Sequence, residues 1–304
     1  MIPVVVAFTP NYIVPVAVTL RSLLDSSGGE FLVICLVTEQ PSEAVIRKLE
    51  KMGGGRVKIE YVNLSGRLNG VYTSPRYSEA ASFRLLLPEL LPEYDRVIYL
   101  DCDIVVRQDI SRLLEAVNLG DNYLAAVYEA PIENQAERFK ALGCSPKEYF
   151  NSGFLVMNLA LMRKDKICER LLDACRVDWL EFPDQDALNM VCQGRVTPLS
   201  PVYNAIRTFF LPQYKSEFLA QYGSWELWEE VQHNGTIHYT GGKPWNLFTV
   251  KFGEWWRVYD TLPREIKEEW TPNPGIYRLW RIYRTKLGHR CVDALQSIYR
   301  RIKK

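Results

Sequence analysis

The sequence predicts an α/β protein, because runs typical of buried strands alternate with runs that have the apolar spacing of helices. The strand-like runs are rich in β-branched residues and cover residues 4–8, 31–38, 57–64 and 96–100. The helical runs cover residues 14–24, 42–52 and 77–91. Strands separated by helices predict βαβ units and a parallel sheet with right-handed crossovers. The length of 304 residues is enough for one large α/β domain, alone or with a helical appendage.

The pattern becomes mixed after residues 123–128. Short strands are predicted over residues 154–159 and 236–239, and a long helix is predicted over residues 161–179. A further helix should begin near Asp184. No repeat and no low-complexity linker interrupts this part of the sequence, which favours one continuous domain.

Composition is ordinary for a soluble globular protein, with 47% hydrophobic and 24% charged residues. Seven scattered cysteines without a CxxC pair argue against a disulfide framework or a zinc ribbon and favour a reducing compartment. The N-terminal apolar stretch has no basic segment before it and no cleavage-type site, so no signal peptide is expected. No apolar run approaches the roughly 18 residues of a membrane span. We therefore expect a cytoplasmic protein.

The C-terminal end of the chain differs in charge from the rest. Two prolines and a glycine at residues 271–275 suggest a boundary between a main domain, residues 1–270, and a tail, residues 271–304. Residues 275–304 carry nine Lys or Arg and one Asp, or about +8, whereas the whole chain has a net charge of +1. The body is therefore neutral to acidic. A basic tail on such a body favours an anionic surface as its partner.

The tail also has the pattern of an amphipathic helix. Its apolar face comprises Ile276, Leu279, Trp280, Tyr283 and Leu287, continued by Val292, Leu295, Tyr299 and Ile302. An apolar face with Trp and Tyr beside basic residues is typical of a helix that lies on a membrane surface. In the alternative interpretation, the stripe packs on the main domain and the charges are solvated. No nucleic-acid partner is expected.

Two aspartates stand where the fourth predicted strand ends. Asp101 and Asp103 follow the apolar residues 97–100, and ligands of open α/β sheets bind beyond the carboxyl ends of strands. Alternate residues of an extended chain point to opposite sides, but a turn at the strand end lets both carboxylates reach one cation. Hard oxygen ligands suit Mg²⁺ or Mn²⁺, with a diphosphate supplying further ligands. The alternative is a pair of solvated turn aspartates.

His238 and Lys243 form a second candidate group near the short strand 236–239. An imidazole beside two carboxylates favours a borderline metal such as Mn²⁺. Lys243 could meet a phosphate as a point charge. The alternative is a core histidine next to a structural Pro-Trp turn.

Three shorter motifs could contact a nucleotide sugar. Residues 151–153 (Asn-Ser-Gly) would let the backbone approach a ligand and present an amide to sugar hydroxyls, or form a plain turn. Residues 184–186 (Asp-Gln-Asp) could bind a hexose, or be the acidic first turn of a helix, or both. Asn11 and Tyr12 follow the first strand, where Tyr12 could stack on a base or pack the loop. The sequence contains no GxGxxG at this turn, no GxxxxGK[ST] and no GxSxG.

Taken together, these blocks resemble glycosyltransferase family 8, the retaining group that includes bacterial lipopolysaccharide galactosyltransferases and glucosyltransferases, and glycogenin. The matching blocks are residues 7–12 and 22–24, Arg84, and residues 99–103, 149–153, 184–189 and 238–245. They occur in the family's order and cover roughly residues 1–260.

The resemblance implies a GT-A fold, a Rossmann-like nucleotide-binding mixed sheet flanked by helices, in a catalytic domain over residues 1–270. It also implies a UDP-hexose donor and Mn²⁺ or Mg²⁺. The implied metal ligands are Asp101, Asp103 and His238. The implied nucleotide-binding residues are Ala7, Thr9, Asn11, Tyr12, Cys102, Gly241 and Lys243. The implied sugar-binding residues are Arg84, Asn151, Asp184 and Gln185, and Gly153 is also implied to line the donor site. The implied catalytic residues are Gln185, Asp186 and Asp184, with Gln185 or Asp186 near the reacting face.

The implied activity is retaining transfer of galactose or glucose to a glycan or lipid-linked acceptor, as in lipopolysaccharide or surface-polysaccharide synthesis. Two features depart from the family. Thr9 stands where members often have an acidic residue that helps to read uracil, and the segment from His238 to Lys243 is one residue shorter than in well-known members.

Two other classes of function remain open from the sequence. One is a catalytically silent nucleotide-sugar-binding protein, which would more often have lost a metal ligand. The other is a different Mg²⁺ or Mn²⁺ enzyme, such as a sugar nucleotidyltransferase or a phosphatase that uses Asp101. A nucleotidyltransferase would want a Gly-rich basic loop after the first strand, and residues 9–11 (Thr-Pro-Asn) are not one.

Overall fold

The computed structural model describes residues 1–68, 78–132 and 135–292, and a seven-stranded mixed sheet lies at its centre. The strands are β1 Ile2–Phe8, β2 Phe31–Val37, β3 Val57–Asn63, β4 Arg96–Leu100, β5 Ile104–Val105, β6 Leu124–Tyr128, β7 Phe150–Asn158, β8 Val196–Pro198 and β9 Ile237–His238. The order across the large sheet is β3-β2-β1-β4-β7-β6-β8, and β5 pairs with β9 in a separate two-stranded sheet.

Helices cover both faces of the sheet. They are α1 Ile13–Ser26, α2 Glu43–Met52, α3 Leu87–Leu90, α4 Leu113–Ala116, α5 Ala136–Ala141, α6 Leu159–Lys164, α7 Ile167–Ala174, α8 Pro183–Cys192, α9 Lys215–Tyr222, α10 Trp225–Asn234, α11 Phe252–Thr261, α12 Arg264–Lys267 and α13 Pro274–Tyr283. Short 3₁₀ helices cover Pro10–Tyr12, Glu79–Leu86, Pro146–Glu148, Pro201–Tyr203, Arg207–Phe210 and Pro212–Tyr214. Val4 and Val6 of β1 belong to one apolar cluster and Val5 to the other, as expected for a strand buried on both faces.

The parallel pairing predicted for the first four strands is confirmed: β1 pairs in parallel with β2 and β4, and β2 with β3. The sheet is mixed because β7 runs antiparallel to both β4 and β6. This reversal has a consequence for function. It brings the N-terminal end of β7, with residues 151–153, beside the carboxyl end of β4, where Asp101 follows.

Two helix predictions need correction. The helix predicted over residues 161–179 is broken, because Lys166 has a left-handed backbone (φ 52°) and separates α6 from α7. The described part of residues 77–91 begins as a 3₁₀ helix and becomes α-helical only at Leu87. Pro88 has no N–H to donate to the carbonyl four residues earlier, so the α-helical pattern cannot extend back through it. Residues 69–77 lie outside the described part.

The tail packs on the main domain as far as it is described. Trp280 is 2% exposed, lies against Trp256 and donates from Nε1 to Asp260 Oδ2 at 3.1 Å. Ile276, Leu279 and Tyr283 also contact the main core, whereas Leu287 is 75% exposed. The alternative interpretation of the apolar stripe therefore holds for α13. Residues 293–304, with Leu295, Tyr299 and Ile302 of the predicted stripe, lie outside the described residues. None of the helices within 1–68, 78–132 and 135–292 has the length and apolar character to cross a bilayer.

Candidate active site

A cleft of about 770 Å³ opens beyond the carboxyl ends of β1 and β4. Most of the residues expected from the sequence line it. These are Ala7, Thr9, Asn11, Tyr12, Arg84, Asp101, Cys102, Asp103, Asn151, Asp184, Gln185, His238, Gly241 and Lys243. Blocks that are far apart along the chain thus form one continuous surface.

The small β5–β9 sheet places His238 opposite the aspartates. Ile104 pairs with His238, and the backbone N–H of Tyr239 donates to the Asp103 carbonyl at 3.0 Å. On the other side, the hydroxyl of Thr19 on α1 donates to the carbonyls of Cys102 and Ile104 at 3.1 and 2.8 Å. The turn that carries Asp101 and Asp103 is therefore held by backbone contacts on both sides.

Asp101, Asp103 and His238 form a group that fits a divalent metal. His238 Nε2 lies 3.6 Å from Asp101 Oδ2 and 3.3 Å from Asp103 Oδ1. One ligand atom from each residue lies within 4.8 Å of the others. Two carboxylates and an imidazole nitrogen are donors that suit Mn²⁺.

Gly153 makes this convergence possible. It was expected to line the donor site, but it lies behind the ligands and is absent from the described wall of the cleft. A Cβ at this position would lie 2.2 Å from His238 Cε1 and 2.8 Å from Asp101 Oδ2. Any side chain here would push the two ligands apart. The missing Cβ is a second feature that fits a metal site.

Arg84 joins two carboxylates of the cleft from inside the protein. Its Nη2 donates to Asp101 Oδ1 at 2.7 Å, and its Nε lies 3.2 Å from Asp184 Oδ2. The guanidinium lies over the ring of Tyr99, 4.3 Å from its centre. Burial alone would lower the pKa of Arg84, but Asp101 and Asp184 outweigh it, so the pKa is raised. These contacts position the two carboxylates, and because Arg84 also lines the cleft, its contact with a sugar stays a prediction.

Lys243 neutralises the second aspartate. Its Nζ donates to Asp103 Oδ2 and to the carbonyl of Tyr239. Burial would raise the pKa of Asp103, but Lys243 and His238 outweigh it and hold the pKa below its usual value. Asp103 is therefore ionised at neutral pH, as a metal ligand must be.

The loop after β1 forms the other end of the cleft. Tyr12 is half-buried, and its ring meets Trp245 edge-on with centroids 5.8 Å apart. Burial raises the pKa of Tyr12, although Lys243 opposes this. The Thr9 hydroxyl donates to Asn11 Oδ1, so these two residues share one hydrogen bond at the mouth of the cleft.

Gln185 and Asn151 form an amide cluster on the opposite wall. Gln185 Oε1 accepts from Asn151 Nδ2 at 3.1 Å and from the backbone N–H of Ser152 at 3.0 Å. Gln185 Nε2 donates to the hydroxyl of Tyr149 at 3.0 Å. Asp184, in the same first turn of α8, lines the cleft, and burial raises its pKa against the influence of Arg84.

Asp186 is not where it was expected. It was predicted near the reacting face, but it is fully buried and is not on the described wall of the cleft. Its carboxylate accepts from the Tyr149 hydroxyl at 2.6 Å, from Arg138, and from the backbone N–H of Phe182 at 3.1 Å. The helical rotation of about 100° per residue points it away from Gln185. Asp186 therefore fixes Tyr149 and the start of α8.

Glu129 is a cleft residue that the sequence interpretation missed. It follows β6 directly and lines the cleft. Its Oε1 accepts from Asn151 Nδ2 and from Gln185 Nε2, each at 3.1 Å. Burial raises the pKa of Glu129, opposed by those two amides. A signal was available, because Glu129 is an acidic residue directly after the run 123–128.

Known proteins resemble this chain in sequence and in fold. Residues 3–248 match the family described as Glycosyl transferase family 8. The chain is 29% identical over 252 residues to a lipopolysaccharide 1,2-glucosyltransferase of Escherichia coli strain K12, over 79% of this chain and 71% of that protein. It is 30% identical over 202 residues to general stress protein A of Bacillus subtilis strain 168, over 64% and 68% of the two chains.

The fold also matches a solved structure, that of galactosyltransferase LgtC in complex with donor and acceptor sugar analogs. The TM-score is 0.69 at 25% identity, over 88% of this chain and 100% of that chain. This likeness confirms the GT-A fold. The family match extends over all the cleft residues described above, and this chain therefore belongs to glycosyl transferase family 8.

Proposed function

We propose that this glycosyltransferase moves a hexose, glucose or galactose, from a UDP-sugar to a glycan or glycolipid acceptor in a metal-dependent reaction. The observation that carries the proposal is the convergence of Asp101, Asp103 and His238 beside Lys243. This group faces the same cleft as the amide cluster of Asn151 and Gln185. A charged end for a diphosphate and a polar wall for a sugar are what a nucleotide-sugar donor requires.

Asp101, Asp103 and His238 would hold the metal, which we infer to be Mn²⁺ or Mg²⁺. When bound, the ion would offset the negative charge of the leaving diphosphate. Lys243 is already directed at this point through its contact with Asp103, and the Gly241 backbone lies beside it on the cleft wall. We therefore assign Lys243 and Gly241 to the diphosphate.

The remaining cleft residues divide between the nucleoside and the sugar. Tyr12 and Asn11, with the nearby Ala7, Thr9 and Cys102, would hold the uridine. Asn151, Asp184 and Gln185 would contact the hexose hydroxyls. Of the residues expected near the reacting face, we retain Gln185, because it lines the cleft, whereas Asp186 is fully buried and is not on the described wall of the cleft.

The acceptor class is inferred from relatives. One relative is a lipopolysaccharide 1,2-glucosyltransferase, and another is a lipopolysaccharide glucosyltransferase, WaaO, both of Escherichia coli strain K12. We therefore propose a lipopolysaccharide or other surface glycan, built on the cytoplasmic side. Free thiols support a reducing compartment, since all seven cysteines are unpaired.

We also propose that the basic outer side of α13 contacts an anionic membrane surface. Because the apolar stripe packs inward, the outward side of α13 is formed mainly by Arg278, Arg281 and the exposed Ile282, and the exposed Lys286 follows just beyond the end of the helix. Basic residues near an anionic leaflet contribute about 1 kcal/mol each. This contact would hold the enzyme near a lipid-linked acceptor.

The metal assignment predicts that activity depends on both aspartates. Asp103→Ala, and Asp101→Asn, which leaves an oxygen for Arg84, should lower Mn²⁺-dependent UDP release from UDP-hexose by about two orders of magnitude or more. Far-UV circular dichroism should be unchanged. Asp121→Ala, at an exposed turn away from the cleft, serves as the control. Full activity in EDTA, or in either variant, would rule out this assignment.

The uridine assignment predicts that the ring of Tyr12 stacks on the base. Tyr12→Ala should weaken UDP binding by about 1–3 kcal/mol, the range measured for base–aromatic stacking. Tyr12→Phe keeps the ring and should bind UDP nearly as well as the wild type. Calorimetry measures both. Equal affinity of the Ala variant and the wild type would show that Tyr12 only packs the loop.

The family assignment predicts a retaining reaction. An α-linked UDP-hexose should give an α-linked product, which the anomeric coupling constant in the NMR spectrum reports. A β-linked product would contradict retention.

The membrane proposal predicts salt-sensitive binding to anionic liposomes. Arg278→Gln with Arg281→Gln should weaken binding roughly thirtyfold at low salt, from about 1 kcal/mol per charge. Donor hydrolysis should be unchanged. Arg112→Gln with Arg176→Gln, two exposed arginines elsewhere, is the matched control. Deleting residues 275–304 would be a poorer test, because it removes the buried Trp280. If the wild type ignores such liposomes, a soluble acceptor is the better hypothesis.

A further inference from the structure

A chain of hydrogen bonds links Asn151, on the proposed sugar side of the cleft, to His238, on the proposed metal side. The link is Asn204, a residue that belongs to no motif of the sequence. Asn204 Nδ2 donates to Asn151 Oδ1 at 2.9 Å, and Asn204 Oδ1 lies 3.0 Å from His238 Nδ1. Asn151 Nδ2 in turn donates to Glu129 Oε1 at 3.1 Å. Asn204 is fully buried, and His238 is 4% exposed. These contacts are therefore shielded from bulk water.

The direction of every bond in this chain is fixed by groups that can play only one role. The backbone N–H of Gly153 can only donate, and it donates to Asn151 Oδ1 at 3.1 Å. The Glu129 oxygen accepts at the other end of the same amide. Asn151 therefore presents its oxygen to Asn204, which must answer with its N–H₂ group. The Asn204 oxygen is then left for His238, whose Nδ1 must carry a hydrogen.

We propose that Asn204 is a positioning residue that sets the tautomer and ring orientation of His238 and, with the same amide, holds Asn151. A hydrogen on Nδ1 leaves the lone pair of Nε2 for a metal ion beside Asp101 and Asp103. The metal side and the sugar side of the cleft are thereby coupled through one buried amide. The inference rests on the proposed metal-dependent function.

Only an amide fits this position, because donor and acceptor are needed at the same time. An ionised aspartate side chain can only accept hydrogen bonds. A leucine side chain is similar in size but can neither donate nor accept one. The backbone fixes residue 204 beside β9: Ala205 N–H donates to the Thr236 carbonyl at 2.8 Å, and His238 N–H donates to the Ala205 carbonyl at 3.0 Å. The side chain of residue 204 is therefore held next to the imidazole.

Two substitutions separate the two contacts. Asn204→Leu removes both, so Mn²⁺ binding in the presence of UDP, measured by electron paramagnetic resonance of the free ion, should weaken roughly 10–100-fold. Asn204→Asp keeps an acceptor for His238 Nδ1–H but loses the donor to Asn151. It should bind Mn²⁺ about as well as the wild type while the KM for UDP-hexose rises. Asn122→Asp, a half-buried amide that bonds Thr197 at the far edge of the sheet, is the control. A purely structural role would move both quantities together.

The tautomer itself is measured by nitrogen-15 NMR of the Mg²⁺–UDP complex, where three histidines give few signals. His238 should carry its hydrogen on Nδ1. A hydrogen on Nε2, or Mn²⁺ affinity of Asn204→Leu equal to that of the wild type, would overturn the inference while the proposed function stands. A wild-type protein that binds no divalent metal would overturn the metal-dependent function and this inference with it.

Discussion

The cleft depends on one buried cation, the guanidinium of Arg84. It lies between Asp101, which follows a central strand, and Asp184, in the first turn of α8. These carboxylates repel each other: the pKa of Asp184 is raised chiefly by burial, and Asp101 raises it further. Removing one partner of such a buried ion pair costs about 3–5 kcal/mol, because it leaves an uncompensated charge. The proposed metal site and the proposed sugar site of the cleft thus share one positive charge.

The same principle explains how the buried Asp103 stays ionised. Lys243 and His238 hold the pKa of Asp103 down, and Arg84 bonds Asp101. The cations are not equivalent. Arg84 is 3% exposed and is held between Asp101 and Asp184, whereas Lys243 reaches Asp103 with a flexible stem. Lys243 is therefore the cation that can turn to a phosphate when another positive charge replaces it at Asp103.

The sequence predicted those site residues whose positions follow from local sequence patterns. Asp101 and Asp103 could be found because they end an apolar strand. His238 could be assigned to the site only through the family pattern, because its pairing with Ile104 forms only in the folded protein. Asn204 gave no signal, because it lies in irregular backbone and acts through partners from other segments. The helix break at Lys166 was also invisible, since the left-handed backbone occurs there at a residue other than glycine. The spacing correctly predicted an apolar face on α13. Spacing alone does not show whether that face packs on the main domain or on a membrane surface.

We propose that Asp101, Asp103 and His238 form a metal site next to a nucleotide diphosphate. Crystals grown with Mn²⁺ and UDP test it most directly, through anomalous diffraction at the manganese edge. We expect one strong peak in the cleft, from an ion bonded to both aspartates and to His238 Nε2. The diphosphate of UDP should lie beside it and near Lys243. UDP bound in the cleft without a peak, or a peak away from these three side chains, would contradict it.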